Sequence, residues 1–434
     1  MVGAGAVAAT TVTNLSPGAT HSLFVESDGS LWAMGANNYG QLGDGTFAST
    51  NRPEPVISNG VMALVAGQDF SLFVRSDGSL WAMGYNSLGQ LGDGTLHSTN
   101  APEQIVPSGV VSVAAGYQHS LFLKSNGSLW AMGSSQYGQL GAGPISGTNQ
   151  PAQIVLSGVT AISTRQIHSL FLKSDGSLWG MGYNGFGQLG DGTFKNTNAP
   201  EQIVSSGVTA IAAGGSHSLF LKADGSLWAM GENNYGQLGD GTFADTNRPE
   251  QVVSGGVTAI AAGSSHSLFL KADGSLWAMG YNGYGQLGDG TLNNTNRPEQ
   301  IVSSGVVAIA CGLSWSLFLK SDGSLWGMGD NGNGQLGDGF GTGTVRLPEQ
   351  IVPRPQPVLR LGVSAVTNLQ IKATCQFAGT FYLLATTNLT APLGQWTKVR
   401  TNLVSVAGTN NFSATISNGV NAGAGRQFYI LESP

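Results

Sequence analysis

The chain has 434 residues, 66 of them glycine, with 41% apolar residues, 10% charged residues and a formal net charge of −6. That apolar share can fill a core and excludes wholesale disorder, and the acidic balance offers no basic face for nucleic acid. No run of 18 apolar residues exists, so no membrane-spanning helix is expected, and Cys311 and Cys375 alone can build neither a disulfide framework nor a zinc site.

Residues 1–11 read as a flexible leader. They are apolar, and the first basic residue is Arg52. This reads as the remnant of a signal peptide, or the start of a fragment of a longer secreted protein, and sets the expectation of an extracellular or cell-surface location.

From Val12 the chain repeats. Trp32, Trp81, Trp130, Trp179, Trp228, Trp277 and Trp326 are 49 residues apart every time, and the run Gly-Gln-Leu-Gly keeps the same step. Self-similarity at that period marks a repeat architecture. The sixth copy shows the unit: strand A over 257–263, strand B over 266–271, strand C over 275–280 and strand D over 298–302, with Pro298 at its first residue. Asp273-Gly274 reads as a two-residue type I′ turn between B and C. The strands are short apolar runs, as expected where both faces are buried. Four such strands make one propeller blade, so seven copies predict an all-β, seven-bladed propeller over 12–352. The seven tryptophans read as its structural core. An opening strand A (12–15) and a closing strand D (349–352) are expected to pair in one blade and seal the ring.

Residues 353–357, Pro-Arg-Pro-Gln-Pro, read as a stiff linker. Over 358–434 the period is lost, and six alternating segments predict a small β-sandwich serving as a spacer or attachment module. Trp396 and Tyr382 are too few to make a carbohydrate platform.

The motif His-Ser-Leu-Phe-Leu-Lys-x-Asp-Gly-Ser-Leu-Trp-Ala-Met-Gly, followed by Gly-Gln-Leu-Gly-Asp-Gly, resembles the RCC1 (regulator of chromosome condensation) repeat family over 12–352. The resemblance implies a seven-bladed propeller. The founder of the family is a nucleotide exchange factor for a small GTPase that uses an inserted β-wedge. Here every copy has 49 residues except the seventh, which has one more, so no wedge is expected. The near-identical repeats look more like bacterial members, one branch of which binds and inhibits β-lactamases.

No catalytic constellation rises above the repeat. His21, His119, His168, His217 and His266 open strand B in five copies, where Phe70 and Trp315 stand in the other two. A catalytic or metal-binding histidine would not tolerate those replacements, so these read as packed rings bonded to a neighbouring backbone group. Asp44 and its equivalents supply one carboxylate per Gly-Asp-Gly, too few for calcium, and read as turn residues. No metal or cofactor is expected.

Strand direction puts the A–B and C–D connections on one face. Lys and Asp interleave on the other, which reads as solubility. The first face is where copies differ. Tyr39, Tyr137, Phe186, Tyr235 and Tyr284 precede Gly-Gln-Leu-Gly, and each either joins a recognition surface or pins its own loop. At the junction of copies three and four, Ser163-Thr-Arg165 replaces Ala-Ala-Gly and Ala142 replaces Asp. A protein partner is therefore expected on this face, centred on Tyr117, Tyr137, Arg165 and Ile167, with Tyr39, Tyr235 and Tyr284 nearer the rim; Ile145 and Phe186 belong to the same candidate surface. The chain reads as a monomeric, non-enzymatic binding or scaffold propeller. An enzyme inhibitor of the β-lactamase-inhibitor type is the alternative, and an exchange factor is disfavoured.

Overall fold

The computed structural model describes residues 11–341 and 343–352, together with the backbone of six strands between 358 and 432. In blade one, Val12–Pro17, His21–Glu26, Leu31–Gly35 and Thr50–Ile57 occupy positions A to D of one antiparallel sheet, paired in that order. Six more four-stranded sheets repeat it, the last made of Val306–Cys311, Trp315–Lys320, Leu325–Asp330 and Thr344–Val352. The A strands touch one another around the ring, including the first against the seventh. Strand A therefore lines a central channel and strand D is the outer edge. The propeller occupies Val12–Val352 as one compact unit.

Alternation along strand B explains why the ring holds. Leu23 and Val25 point to the following blade, whereas Ser22 and Phe24 point to the preceding one. Leu23, Val25, Leu31, Ala33 and Leu42 of blade one thus meet Val61, Leu64, Ala66, Phe73 and Met83 of blade two in one buried cluster. Each sheet has two such faces, so the apolar runs seen in the sequence are alternations with both sides buried.

The first and last strands do not share a blade. Val12–Pro17 pairs with His21–Glu26, and Thr344–Val352 pairs with Leu325–Asp330. The expected strand exchange fails because each copy already begins with its own strand A, so the copy is the blade. Strand A also lies at the channel and strand D at the rim, too far apart to pair. The ring is instead closed as every other seam is. Leu317, Leu319, Leu325 and Leu336 of blade seven pack against Val12, Leu15, Phe24 and Met34 of blade one. The Gly339 N–H donates to the Asn51 carbonyl at 2.9 Å, as the Gly45 N–H does to Asn100 at the first internal seam.

Three local expectations change. The B–C hairpin has three loop residues, because the Gly274 N–H donates to the Lys271 carbonyl and the Lys271 N–H to that of Ser275. Gly274 alone carries the positive φ recorded there, +75°, the pattern of a type I turn followed by a glycine bulge. Strand D is longer, Thr295–Val302 in blade six, with Pro298 inside it; an outer edge tolerates the missing N–H. The tryptophans are half-buried, while Phe24 and its six equivalents are the fully buried rings. Each Trp stacks on that Phe, as Trp179 does on Phe171 at 6.1 Å, and its indole N–H donates to a serine, Ser177 in that blade. Lys173 Nζ lies 4.0 Å from the Trp179 ring centroid. The lysines that read as solubility thus also cover the indoles.

In the second unit, Val358–Ala365, Asn368–Cys375 and Asn410–Ser417 form one three-stranded sheet, and Thr397–Val404, Gly379–Thr386 and Phe428–Glu432 form another. All six expected strands are there. The side-chain packing that would make them a sandwich lies outside the described residues, as do Trp396, the Tyr382 side chain, the linker over 353–357 and most of the leader.

If packing seals the ring, the closing seam should cost as much to damage as an internal one. Phe24→Ala and Phe73→Ala should each lose ~3–5 kcal/mol in urea unfolding. A much smaller loss for Phe24→Ala would show that the seam between blades seven and one carries little of the fold.

Candidate protein-interaction face

The C–D loop is built by side chains bonding its own backbone. The Asn37 carbonyl oxygen accepts the Leu42 N–H at 3.0 Å, and its amide donates to Asp44 at 3.0 Å. Asp44 also accepts the Thr46 N–H, and Gln41 accepts the Tyr39 N–H. The Asp is thus spent on the turn. The loop then leans on the next blade: a Cβ on Gly43, at φ +74°, would sit 2.3 Å from Met83 Sδ. Blade three changes both members of the Asn–Asp pair, to Ser135 and Ala142. Among the described residues, no three His, Cys, Asp or Glu side chains converge as metal ligands would.

The histidines clasp the blades. His21 Nε2 lies 2.8 Å from Ser71 Oγ of blade two, and that hydroxyl donates to the Gln41 carbonyl of blade one at 2.7 Å. The serine proton is committed, so the imidazole Nε2–H is the donor. The bond runs to a side chain across the seam rather than to backbone. Nδ1 is buried without a partner in all five rings. A second proton would have nothing to bond there, and burial pushes His21, His119, His217 and His266 down to about 3 and His168 to about 4.

The loop face is apolar. Thirteen of the eighteen exposed large apolar side chains among the described residues lie on A–B or C–D connections. Tyr39, Tyr117, Ile145, Tyr235 and Tyr284 are 39–43% exposed, whereas Tyr137, Phe186 and Ile167 are half-buried. Several rings pack edge-on to an aromatic of the next blade, Tyr39 on Tyr85 at 4.9 Å and Tyr137 on Tyr183 at 5.3 Å. Pinning and exposure therefore coexist. A second series escaped the sequence reading apart from Ile145: Phe47, Leu96, Phe194, Phe243 and Leu292 are exposed at the same loop position in five other blades, and in blade seven Phe340 is exposed one position earlier, in the place of Thr46. Its signal was the apolar residue following Gly-Asp-Gly-Thr in most copies.

The expected centre falls into two places. Tyr137 and Ile145 line an open groove with Asn196 and Asn198 of blade four. Tyr117 and Arg165 line a cavity at the channel mouth. Arg165 is not displayed on the open face. It crosses the channel, and its Nη1 donates to the Cys311 carbonyl of blade seven at 2.7 Å. Burial lowers its pKa to about 10, so it keeps its charge at neutral pH, and burial pushes the Cys311 thiol up to about 12.

Geometry thus defines a seven-bladed propeller with a rigid, apolar loop face. The RCC1-like domain model matches residues 4–254, and RCC1 repeat models match 257–286, 306–335 and 273–319. The chain belongs to the RCC1-like family. Among solved structures, human WBSCR16 is similar at 27% identity and a TM-score of 0.64, over 71% of this chain and 86% of that one. Saccharomyces cerevisiae Prp20p matches at 23% identity, a TM-score of 0.61 and 72% and 84% coverage. Yeast RCC1 (Prp20) solved with Kap60 matches at 20%, 0.66, and 80% and 85%. The two yeast likenesses show the fold alone. No curated protein matches the chain.

The buried histidines set the acid limit of the fold. Their folded pKa lies below the unfolded value of 6.5, so between about pH 3 and 6.5 the unfolded chain holds more protons. Stability is full above 6.5 and falls as pH drops. At pH 5 each ring costs about 2 kcal/mol, roughly 10 kcal/mol for five, comparable with the whole stability of a typical domain. Calorimetry should show the melting temperature falling steeply from pH 6.5 to 4.5. A flat profile would mean that the rings can be protonated in place.

Proposed function

We propose that this chain is a non-enzymatic binding propeller, secreted or displayed at the cell surface, whose A–B and C–D loop face docks a protein partner. The observation that carries the reading is the concentration of exposed apolar side chains on that one face, at positions that recur in most blades. Exposed apolar surface at this density is costly unless something covers it, and aromatics on pinned loops lose little entropy on binding. Of the contacts expected from the sequence, Tyr39, Tyr117, Tyr137, Ile145, Phe186, Tyr235 and Tyr284 serve this face, and Phe47, Phe194 and Phe243 join them. The face opposite, with its Asp-Gly turns, carries mixed charge and serves solubility.

Prp20p is described by its binding to Gsp1p and histones. An exchange role is not proposed for this chain. The strands of the first six blades keep a strict 49-residue step, and no wedge-sized insertion interrupts them. Enzyme inhibition by the same face is a special case of the proposal, in which the partner is the enzyme.

The test begins with capture of partners from secreted and surface fractions of the native host. Phe194→Ser with Phe243→Ser should then weaken the captured complex by ~2 kcal/mol or more, about 30-fold. Asp175→Asn, in a turn of the opposite face, should leave it unchanged. Equal losses in the two variants would place the interface elsewhere. Saturable acceleration of nucleotide release from a small GTPase would overturn the non-exchange reading.

A further inference from the structure

Six blades end strand A with glycine at one position: Gly18, Gly67, Gly116, Gly214, Gly263 and Gly312. The reason is steric, since a Cβ on Gly116 would lie 2.3 Å from the His119 ring. Blade four alone carries a side chain there, Arg165, in the most crowded part of the ring.

Around the mouth, backbone bonds link one A–B turn to the next, including Ala19 to Gly67, Tyr117 to Gln166 and Leu313 to Gly18. Inside this girdle the arginine makes one hydrogen bond, from Nη1 to the Cys311 carbonyl, and its Nε–H is buried without a partner. Gln166, beside it, reaches Ser264 of blade six. Among the described residues no acidic side chain acts on the guanidinium; it disfavours protonation of His217 and His266, and the Cys311 thiol beside it is kept neutral at ordinary pH by burial. The side chain is half-buried at the mouth, and a guanidinium with one carbonyl acceptor and no counter-charge keeps donor capacity to spare. On the side of blades one to three the channel is not filled. A small cavity of about 30 Å³ remains, walled by Gly18, Gly67, Gly116 and Tyr117 and bounded by Arg165. With Nη1 spent on Cys311 and Nε sealed from the cavity, Nη2 is the donor left to meet an anion.

We propose that the channel mouth is a binding site for one small oxyanion, a carboxylate by preference, held by Arg165 through the Nη2 group that Cys311 leaves free. The anion supplies the counter-charge that the ring itself lacks. The site stands independently of the partner proposed above, because free acetate suffices to fill it.

The experiment titrates the full-length protein with sodium acetate, and separately with sodium phosphate, against sodium chloride at equal ionic strength. Thermal unfolding and the ¹⁵Nε resonance of the guanidinium are followed. Acetate should raise the melting temperature saturably and shift one arginine Nε signal. Arg165→Gly, which restores the residue of the other six blades, should fold and lose both responses. Arg165→Lys should bind at least tenfold more weakly, having no fork. Saturation by phosphate at lower concentration than acetate would overturn the carboxylate preference. A salt effect that never saturates, or one that is the same in wild type and Arg165→Gly, would overturn the site.

Discussion

Each sheet of this protein buries both of its faces against two neighbours, and the rest of the structure follows from that demand. A four-stranded sheet with Leu23 and Val25 on one side and Phe24 on the other has no solvent-tolerant face. It is stable only between two more sheets of the same kind, and the series ends where the last closes on the first. The closing cluster, with Phe24 and Met34 against Leu317 and Leu319, has the composition of the internal ones. Closure therefore needs no special strand exchange.

The same demand explains the polar residues at the seams. A buried hydroxyl or imidazole must find a partner, and at the seam the partner belongs to another blade. The relay from His21 to Ser71 to the Gln41 carbonyl spans two blades and fixes their separation. Phe70 and Trp315 fill the volume without the bond, and Trp315 leaves its indole N–H buried and unpartnered. The clasp can therefore be lost at a seam while the packing holds. It also ties the fold to neutral pH, because a ring that cannot accept a second proton must release it to fold.

Function is displaced to the loops because everything between them is committed. The Gly-Gln-Leu-Gly turn, the Asn–Asp pair and the glycine that receives the next blade's methionine leave little freedom. The positions released from packing are the residue before Gly-Gln-Leu-Gly, the residue after Gly-Asp-Gly-Thr and the A–B pair. Apolar side chains recur there across the ring. Blade four departs where departure is most costly, at the glycine that elsewhere clears the histidine ring.

Read alone, the sequence determined the repeat, the number of blades, the strands of each blade and the face on which copies diverge. These are carried by period and alternation, which are properties of the chain itself. It also placed six strands beyond the linker. It did not determine which strands share a sheet at the closure, because pairing depends on radial position and strand A lies at the channel while strand D lies at the rim. It assigned the core to the tryptophans, although the fully buried ring is the phenylalanine beside each; alternation shows two faces but not which is covered more deeply. It marked Arg165 as exceptional from Ser163-Thr-Arg165, yet could not see that this side chain points into the channel toward Cys311, 146 residues away in sequence. That contact exists only because the ring curves blade four to face blade seven, and curvature is a property of the packed seams rather than of any one repeat.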